Sequence, residues 1–218
     1  MRCGVSELNI QFLVFDGVEE LDLVGSWELT GLLAQKKKCG PPKLVTLNTM
    51  TPVGEHGMRF VADFHFSQAD HADVVFIPGG SGGRLAMEDP DVISYLQEQG
   101  RSCKAVLSVC TGSFLMQKAG LLNGRRATTH WAFLNHLKDD PNVTVVEQRF
   151  VRDGSIWTAG GVSAGMDMML AFIAYSFGDE VAADVQLDAE YFPATTIYGR
   201  PFERKDVSEY IRELSRHA

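Results

Sequence analysis

Apolar residues in this chain form short continuous runs that are followed by longer stretches with helical spacing. The runs at residues 8–15, 73–78 and 106–110 are each followed by apolar positions that recur every three or four residues. Continuous rather than alternating hydrophobicity is typical of parallel strands that helices cover on both faces. The pattern therefore predicts an α/β fold, a three-layer sandwich around a mostly parallel sheet.

The remaining pattern extends this sandwich and gives no sign of a second domain. We expect helices over 21–33, 92–101, 163–177, 179–191 and 207–214, and strands at 44–47, 143–146, 150–151 and 156–158. Asp153 and Gly154 predict a hairpin between the last two strands, and Ser163 suits a helix N-cap. Residues 58–66 alternate and predict a strand or hairpin outside the main sheet. A single domain over residues 1–218 follows, since no repeat or linker interrupts the chain.

The net charge and the cysteines limit which partners and cofactors we expect the protein to bind. The formal net charge is −8, which disfavours nucleic acid and anionic membranes; the basic cluster at 36–38 suits a solvated helix end. Four scattered cysteines, Cys3, Cys39, Cys103 and Cys110, form no metal-ligand pair. No signal-like N-terminus or membrane-length apolar run occurs. We therefore expect a cytoplasmic protein with free thiols, no metal or other cofactor, and a small-molecule substrate.

Cys110 stands where a buried strand turns sharply into a helix. Helix-start N–H groups favour thiolate over thiol, so a lowered thiol pKa and a nucleophilic role are expected there. The alternative is a small buried hydrophobe, which is a common environment for free cysteine.

Three further segments offer groups that would act beside such a thiol. The glycine-rich turn at 78–83 would expose backbone N–H groups to an oxyanion, or would simply be a tight turn. Asp22 lies among apolar residues, which predicts a raised carboxyl pKa, although an acid in a first helical turn is also common. His130 is a possible base or a structural histidine.

These segments carry a resemblance to a known family. The blocks Pro78-Gly-Gly80, Ser108-Val-Cys-Thr-Gly-Ser113, Ala127-Thr-Thr-His-Trp131 and Thr158-Ala-Gly-Gly161 resemble the ThiJ/PfpI superfamily over roughly residues 8–192. The resemblance implies a flavodoxin-like, class I glutamine amidotransferase-like fold and a homodimer. Residues 20–23, with Cys110, Thr111 and the block at 128–131, are similar to the isocyanide hydratase branch. This chain has Val162-Ser163 where that branch has Ile-Thr.

Carried over position by position, the resemblance implies a role for each candidate. Cys110 would be the nucleophile, Asp22 the carboxylate facing its sulfur, and Thr111 a hydroxyl and N–H beside it. Gly79 and Gly80 would supply oxyanion-type N–H groups. His130 would be an accessory residue at most, because the carboxylate already provides a proton route.

The resulting expectation is cofactor-free hydration of an organic isocyanide to an N-substituted formamide through a cysteine thioimidate. The alternatives are glyoxalase-like or deglycase-like chemistry at the same cysteine, or a non-enzymatic redox or ligand sensor. The sensor half of AraC-type regulators shares the same blocks together with a C-terminal helix-turn-helix domain, which we do not expect in the few residues that follow the blocks here.

Overall fold

A parallel sheet forms the centre of the molecule. The computed structural model describes residues 8–193, 197 and 199–216, so Cys3 lies outside the described residues. Seven strands lie in the order β3-β2-β1-β4-β5-β9-β8, and only the β8–β9 pair is antiparallel. Their bounds are β1 Ile10–Val14, β2 Lys43–Thr46, β3 Phe64–His65, β4 Val74–Ile77, β5 Ala105–Val109, β8 Phe150–Asp153 and β9 Ile156–Ala159. A separate two-stranded parallel sheet pairs β6 (Arg125–Ala127) with β7 (Val143–Val145).

Helices cover both faces of the sheet, which confirms the predicted three-layer architecture. On one face α1 (Glu20–Gln35), α6 (Ala164–Phe177) and α7 (Asp179–Asp188) pack together. On the other face lie α2 (Gly83–Ala86), α3 (Pro90–Ser102) and α4 (Gly112–Lys118). Two further short helices are α5 (Leu134–Lys138) and α8 (Glu209–Leu214). Strands β1, β4 and β5 are buried along their whole length, because both faces are covered.

Two local predictions need correction. Residues 58–66 form a loop with one antiparallel bridge between Val53 and Arg59, and only the β3 strand at their end joins the main sheet. Ser163 makes no side-chain cap to α6; its hydroxyl instead accepts a hydrogen bond from Arg149 at 3.1 Å. The predicted hairpin at Asp153 is confirmed by the β8–β9 pairing.

The topology brings several loops to one edge of the sheet. The chain leaves the carboxyl ends of β1, β4, β5 and β9 on the same side, because these strands are adjacent and parallel. Ligands of open α/β sheets bind at that edge. Within the described ranges, no helix combines the length and the apolar character that crossing a membrane requires.

Candidate functional site

Cys110 occupies the corner between β5 and α4 in a strained conformation. Its φ is 56°, a left-handed value that is uncommon outside glycine. Its N–H donates to the carbonyls of Ala159 and Gly160, at 3.2 and 2.9 Å. Its carbonyl accepts from the hydroxyls of Thr129 and Ser113, at 2.9 and 3.1 Å. The surroundings thus hold both backbone groups, which fixes the sulfur at the floor of an open crevice.

Asp22 projects from the first turn of α1 and is completely buried. Its Oδ2 accepts the Gly79 N–H at 2.7 Å, and its Oδ1 meets no hydrogen-bond partner of good geometry within the described residues. Burial raises the pKa of Asp22 to about 8. Contacts with the Gly79 N–H, the Val162 N–H and the Cys110 thiol lower this pKa, whereas the negative charge of Glu19 raises it, and burial is the largest effect. Asp22 is therefore mainly a neutral carboxylic acid at pH 7, as its apolar flanks predicted.

Burial also shifts the pKa of the candidate nucleophile, Cys110. It raises the pKa of the Cys110 thiol to about 12, and a negative charge on Asp22 raises it further. The Thr111 N–H, the Val162 N–H and the Thr111 hydroxyl oppose this shift without overcoming it. The prediction of a lowered thiol pKa is therefore wrong, because loss of water outweighs the helix-start N–H groups. Cys110 and Asp22 each hold a proton at neutral pH.

Gly79 and Gly80 support the site in a different way from that predicted. The Gly79 N–H is bound to Asp22, and the Gly80 N–H donates to the Thr111 hydroxyl oxygen at 3.0 Å. Neither N–H is free to bind an oxyanion, so that expectation is corrected. A Cβ on Gly79 would lie 2.6 Å from the Thr111 hydroxyl and 2.9 Å from Asp22. The glycines therefore allow the acid and the threonine to approach each other.

Val162 is a site residue that the sequence marked only as a departure from the isocyanide hydratase branch. It follows β9 with φ 49°, a rare conformation for a β-branched side chain. Its N–H lies against both Asp22 and Cys110. Arg149 holds the next residue, Ser163, and also pairs with Asp167 at 2.6 Å. The two glycines before Val162 were the available sequence signal, since they mark a tight connection after a strand.

His130 lines the same crevice, but no hydrogen bond joins it to Cys110 among the described residues. Its Nδ1 accepts the Ala132 N–H at 3.2 Å, which assigns the neutral tautomer with its proton on Nε2. Partial burial lowers the pKa of His130. The imidazole is therefore neutral at physiological pH.

These groups open into one cavity of about 440 Å³. Residues of several connecting loops and of the helices α2, α4 and α5 line it: Glu19, Glu55, Gly80, Ser81, Gly83, Arg84, Met87, Cys110, Thr111, Phe114, His130, Phe133, His136 and Val162. A substrate in this cavity would reach the Cys110 sulfur directly. Asp22 lies behind the sulfur, shielded from water.

One group of metal-type ligands lies at the edge of the crevice. The ligand atoms of Glu19, Glu20 and His56 are all within 4.8 Å of one another. Glu20 already accepts hydrogen bonds from the His56 N–H at 2.6 Å and the His56 ring at 2.8 Å. These contacts give the Glu20 and His56 side chains a structural role, tying the 54–58 loop to α1. Absence of a metal cofactor stays a prediction.

Comparison with known proteins places this site in a family. Residues 9–175 match the DJ-1/PfpI family model. The chain belongs to the DJ-1/PfpI family. Over 187 residues it is 36% identical to an isonitrile hydratase of Pseudomonas putida, covering 86% of this chain and 80% of that protein.

Other relatives show how widely the domain is used. A ThiJ/PfpI family protein from Pseudomonas syringae superimposes with a TM-score of 0.82 at 28% identity, over 95% of this chain and 84% of the other. The HTH-type transcriptional regulator CdhR of Pseudomonas aeruginosa is 27% identical over 76% of this chain, which spans 52% of the regulator. Family membership therefore shows the fold, whereas the activity has to be inferred from the geometry of the site.

Proposed function

We propose that this protein hydrates an organic isocyanide to an N-substituted formamide, using Cys110 as nucleophile and Asp22 as proton donor and acceptor. The observation that carries the proposal is the buried Asp22 acid, whose carboxyl group contacts the Cys110 thiol at the floor of a cavity. Covalent attack and proton delivery at one carbon are what the α-addition to R–N≡C requires. The similarity to isonitrile hydratase supports the same choice.

In the first half-reaction the terminal isocyanide carbon gains both a sulfur and a proton. The Cys110 sulfur bonds to that carbon, and the Asp22 acid proton goes to the same carbon. The thiol proton then replaces the one that Asp22 has given. The product is the thioimidate R–N=CH–S–Cys110, and Asp22 is again neutral.

In the second half-reaction water attacks the thioimidate carbon while the nitrogen gains the Asp22 proton. The water proton returns to Asp22, which leaves R–NH–CH(OH)–S–Cys110. The C–S bond then breaks, the carbonyl forms, and the hydroxyl proton passes to the departing sulfur. The formamide R–NH–CHO is released with Cys110 and Asp22 in their starting states, so the two steps consume one water. Thr111, with its N–H and hydroxyl at the sulfur, would stabilise negative charge there as the bond breaks.

The regulator relatives favour one second candidate, a domain that binds a small ligand without converting it. The same cavity would then hold the ligand. A glyoxalase-like activity at Cys110 is the enzymatic alternative. The homodimer and the cytoplasmic location expected from the sequence remain predictions.

Product analysis separates these functions. The wild-type protein mixed with phenyl isocyanide is expected to give N-phenylformamide, and intact-protein mass spectrometry at short times should show the isocyanide mass added at Cys110. Lactate from methylglyoxal without any formamide would overturn the hydratase proposal and favour the glyoxalase alternative. Binding of the isocyanide with neither product nor adduct would favour the sensor.

The pH dependence provides a further prediction. The free protein needs neutral Asp22, so kcat/KM should fall as pH rises through about 8, where this carboxyl ionises. The decrease should approach tenfold per pH unit well above that value. Initial rates between pH 6 and 10 measure it. A plateau that continues unchanged to pH 10 would show that the Asp22 proton is not used.

His130 should contribute little to the chemistry. Because its neutral imidazole has no hydrogen bond to Cys110 and Asp22 supplies the proton, His130→Gln is expected to lower kcat by less than about tenfold. Steady-state kinetics and a circular dichroism spectrum of the variant test this together. A loss of more than about 10²-fold in a folded variant would identify His130 as a general base.

A further inference from the structure

The cavity above Cys110 has two chemically different sides. One side is polar and carries Glu19, Glu55 and Ser81, with Arg84 on the short helix α2. Another side comes from α4, the segment before α5 and α5 itself, and it presents aromatic rings. This asymmetry bears on which isocyanide the site would accept, a question that the thiol and the acid leave open.

The rings on that side form a cluster centred on Phe133. Its ring centroid lies 6.4 Å from that of Phe114, 5.8 Å from that of His130 and 5.9 Å from that of His136. All four rings line the cavity, and the two phenylalanines are only partly buried. We refer to Phe114, His130, Phe133 and His136 as the aromatic wall.

The chain holds the aromatic wall in a fixed position relative to the sulfur. Phe114 lies on α4, one helical turn after Cys110, so the helix that follows the nucleophile also carries this ring. Phe133 ends the 3-10 helix Trp131–Phe133, whose first turn is fixed when His130 Nδ1 accepts the Ala132 N–H. The centroid distances lie within the 4.5–7 Å range of favourable ring pairs. Phe114 and Phe133 are partly exposed and line the cavity, so a further ring could pack against them.

We propose that the aromatic wall selects an aryl isocyanide, whose flat ring packs against Phe133 and Phe114 while its terminal carbon reaches the Cys110 sulfur. A saturated ring of the same carbon count buries similar area but lacks the edge-to-face interaction that aromatic pairs add. This interaction is expected to favour the aryl group by about fivefold to tenfold in affinity. The inference rests on the proposed function for the isocyanide group, whereas the ring preference is a property of the cavity.

The test uses a matched pair of ligands that needs no turnover. N-phenylformamide and N-cyclohexylformamide differ in ring saturation, and NMR titration of Cys110→Ala gives a dissociation constant for each. The phenyl compound is expected to bind about fivefold to tenfold more tightly. Adding Phe133→Leu should reduce that ratio to below about twofold, because Leu keeps an apolar surface without a ring.

Two controls make the result decisive. Phe192→Leu changes an exposed phenylalanine that does not line the cavity, and it should leave the phenyl-to-cyclohexyl ratio unchanged. Phe114→Leu, at the second ring, should lower the ratio in the same direction as Phe133→Leu, so a folding failure of one variant leaves the other. Equal binding of the two formamides to the parent, or an unchanged ratio in both wall variants, would overturn the proposal.

Turnover separates this proposal from the proposed function. If phenyl isocyanide is not hydrated but N-phenylformamide still binds preferentially, the hydratase proposal fails and the aromatic wall stands. If phenyl and cyclohexyl isocyanide are hydrated with equal kcat/KM and their formamides bind equally, the hydratase proposal stands and the wall does not select.

Discussion

Asp22→Asn is expected to lower turnover of an aryl isocyanide by about 10²-fold or more, and Cys110→Ala to abolish it. Asn retains an oxygen that accepts the Gly79 N–H, so the local geometry is kept. It has no acid proton to give to the isocyanide carbon and cannot take one from water. Formamide formation, followed by chromatography at pH 7, measures both variants against the wild type.

The control distinguishes an acid that moves protons from one that starts a helix. Asp91 is an exposed aspartate in the first turn of α3 and offers the same substitution. Asp91→Asn should retain wild-type turnover. If Asp22→Asn kept more than about a tenth of the activity, Asp22 would have only the structural role that a first-turn acid commonly has.

Asp22→Asn is also expected to make the protein more stable at neutral pH. Between pH 4 and 8 the unfolded chain has released the Asp22 proton, whereas the folded protein keeps it, since the pKa rises from 3.8 to about 8 on folding. The wild-type free energy of unfolding therefore falls as pH rises through this window. Asn has no such loss and should be more stable by on the order of 4 kcal/mol at pH 7, equivalent to roughly 10 °C in Tm.

Thermal unfolding at two pH values tests whether Asp22→Asn is more stable than the wild type. At pH 4 the two proteins should unfold within a few degrees of each other, because the unfolded chain has only begun to lose the Asp22 proton and little stability is yet lost. A variant less stable than the wild type at pH 7 would show that the carboxyl is ionised and stabilising in the folded protein.

Glu20, two residues away, offers a control of opposite sign. Burial raises its pKa, but hydrogen bonds from the His56 ring and from the His56 and Met58 N–H groups lower it to about 2. Its contribution to stability is present above the unfolded value near 4.5 and is lost as pH falls through about 2. Glu20→Gln should therefore destabilise the protein at pH 7, and the difference should shrink as the pH approaches 2.

Together these two substitutions illustrate a cost that active sites commonly carry. Asp22 is kept neutral and buried beside a thiol, which destabilises the folded state relative to an amide at the same place. Glu20 stabilises the fold and has no role in the proposed reaction. The contrast arises from contacts with other segments, since both residues lie in the first turn of α1.

The sequence by itself determined the fold class and the segments that meet at the candidate site. Continuous apolar strands require two covering layers of helices, which predicted the mostly parallel sheet. The strand-to-helix turn at Cys110 and the apolar flanks of Asp22 are local features, and both predictions are confirmed. Alternation alone was not a sufficient signal for a strand, since residues 58–66 alternate and are mostly loop.

Only the tertiary structure decided the electrostatics and the fine geometry. Whether Cys110 is a thiolate depends on how much water and negative charge surround it, and both come from segments distant in the chain. The use of the Gly79 and Gly80 N–H groups depended on which acceptors folding brought near them. The Val162 N–H and the ring cluster around Phe133 likewise arise where separate loops meet. Periodicity can be read along the chain, whereas the desolvation and hydrogen bonding of a side chain depend on which distant segments pack against it.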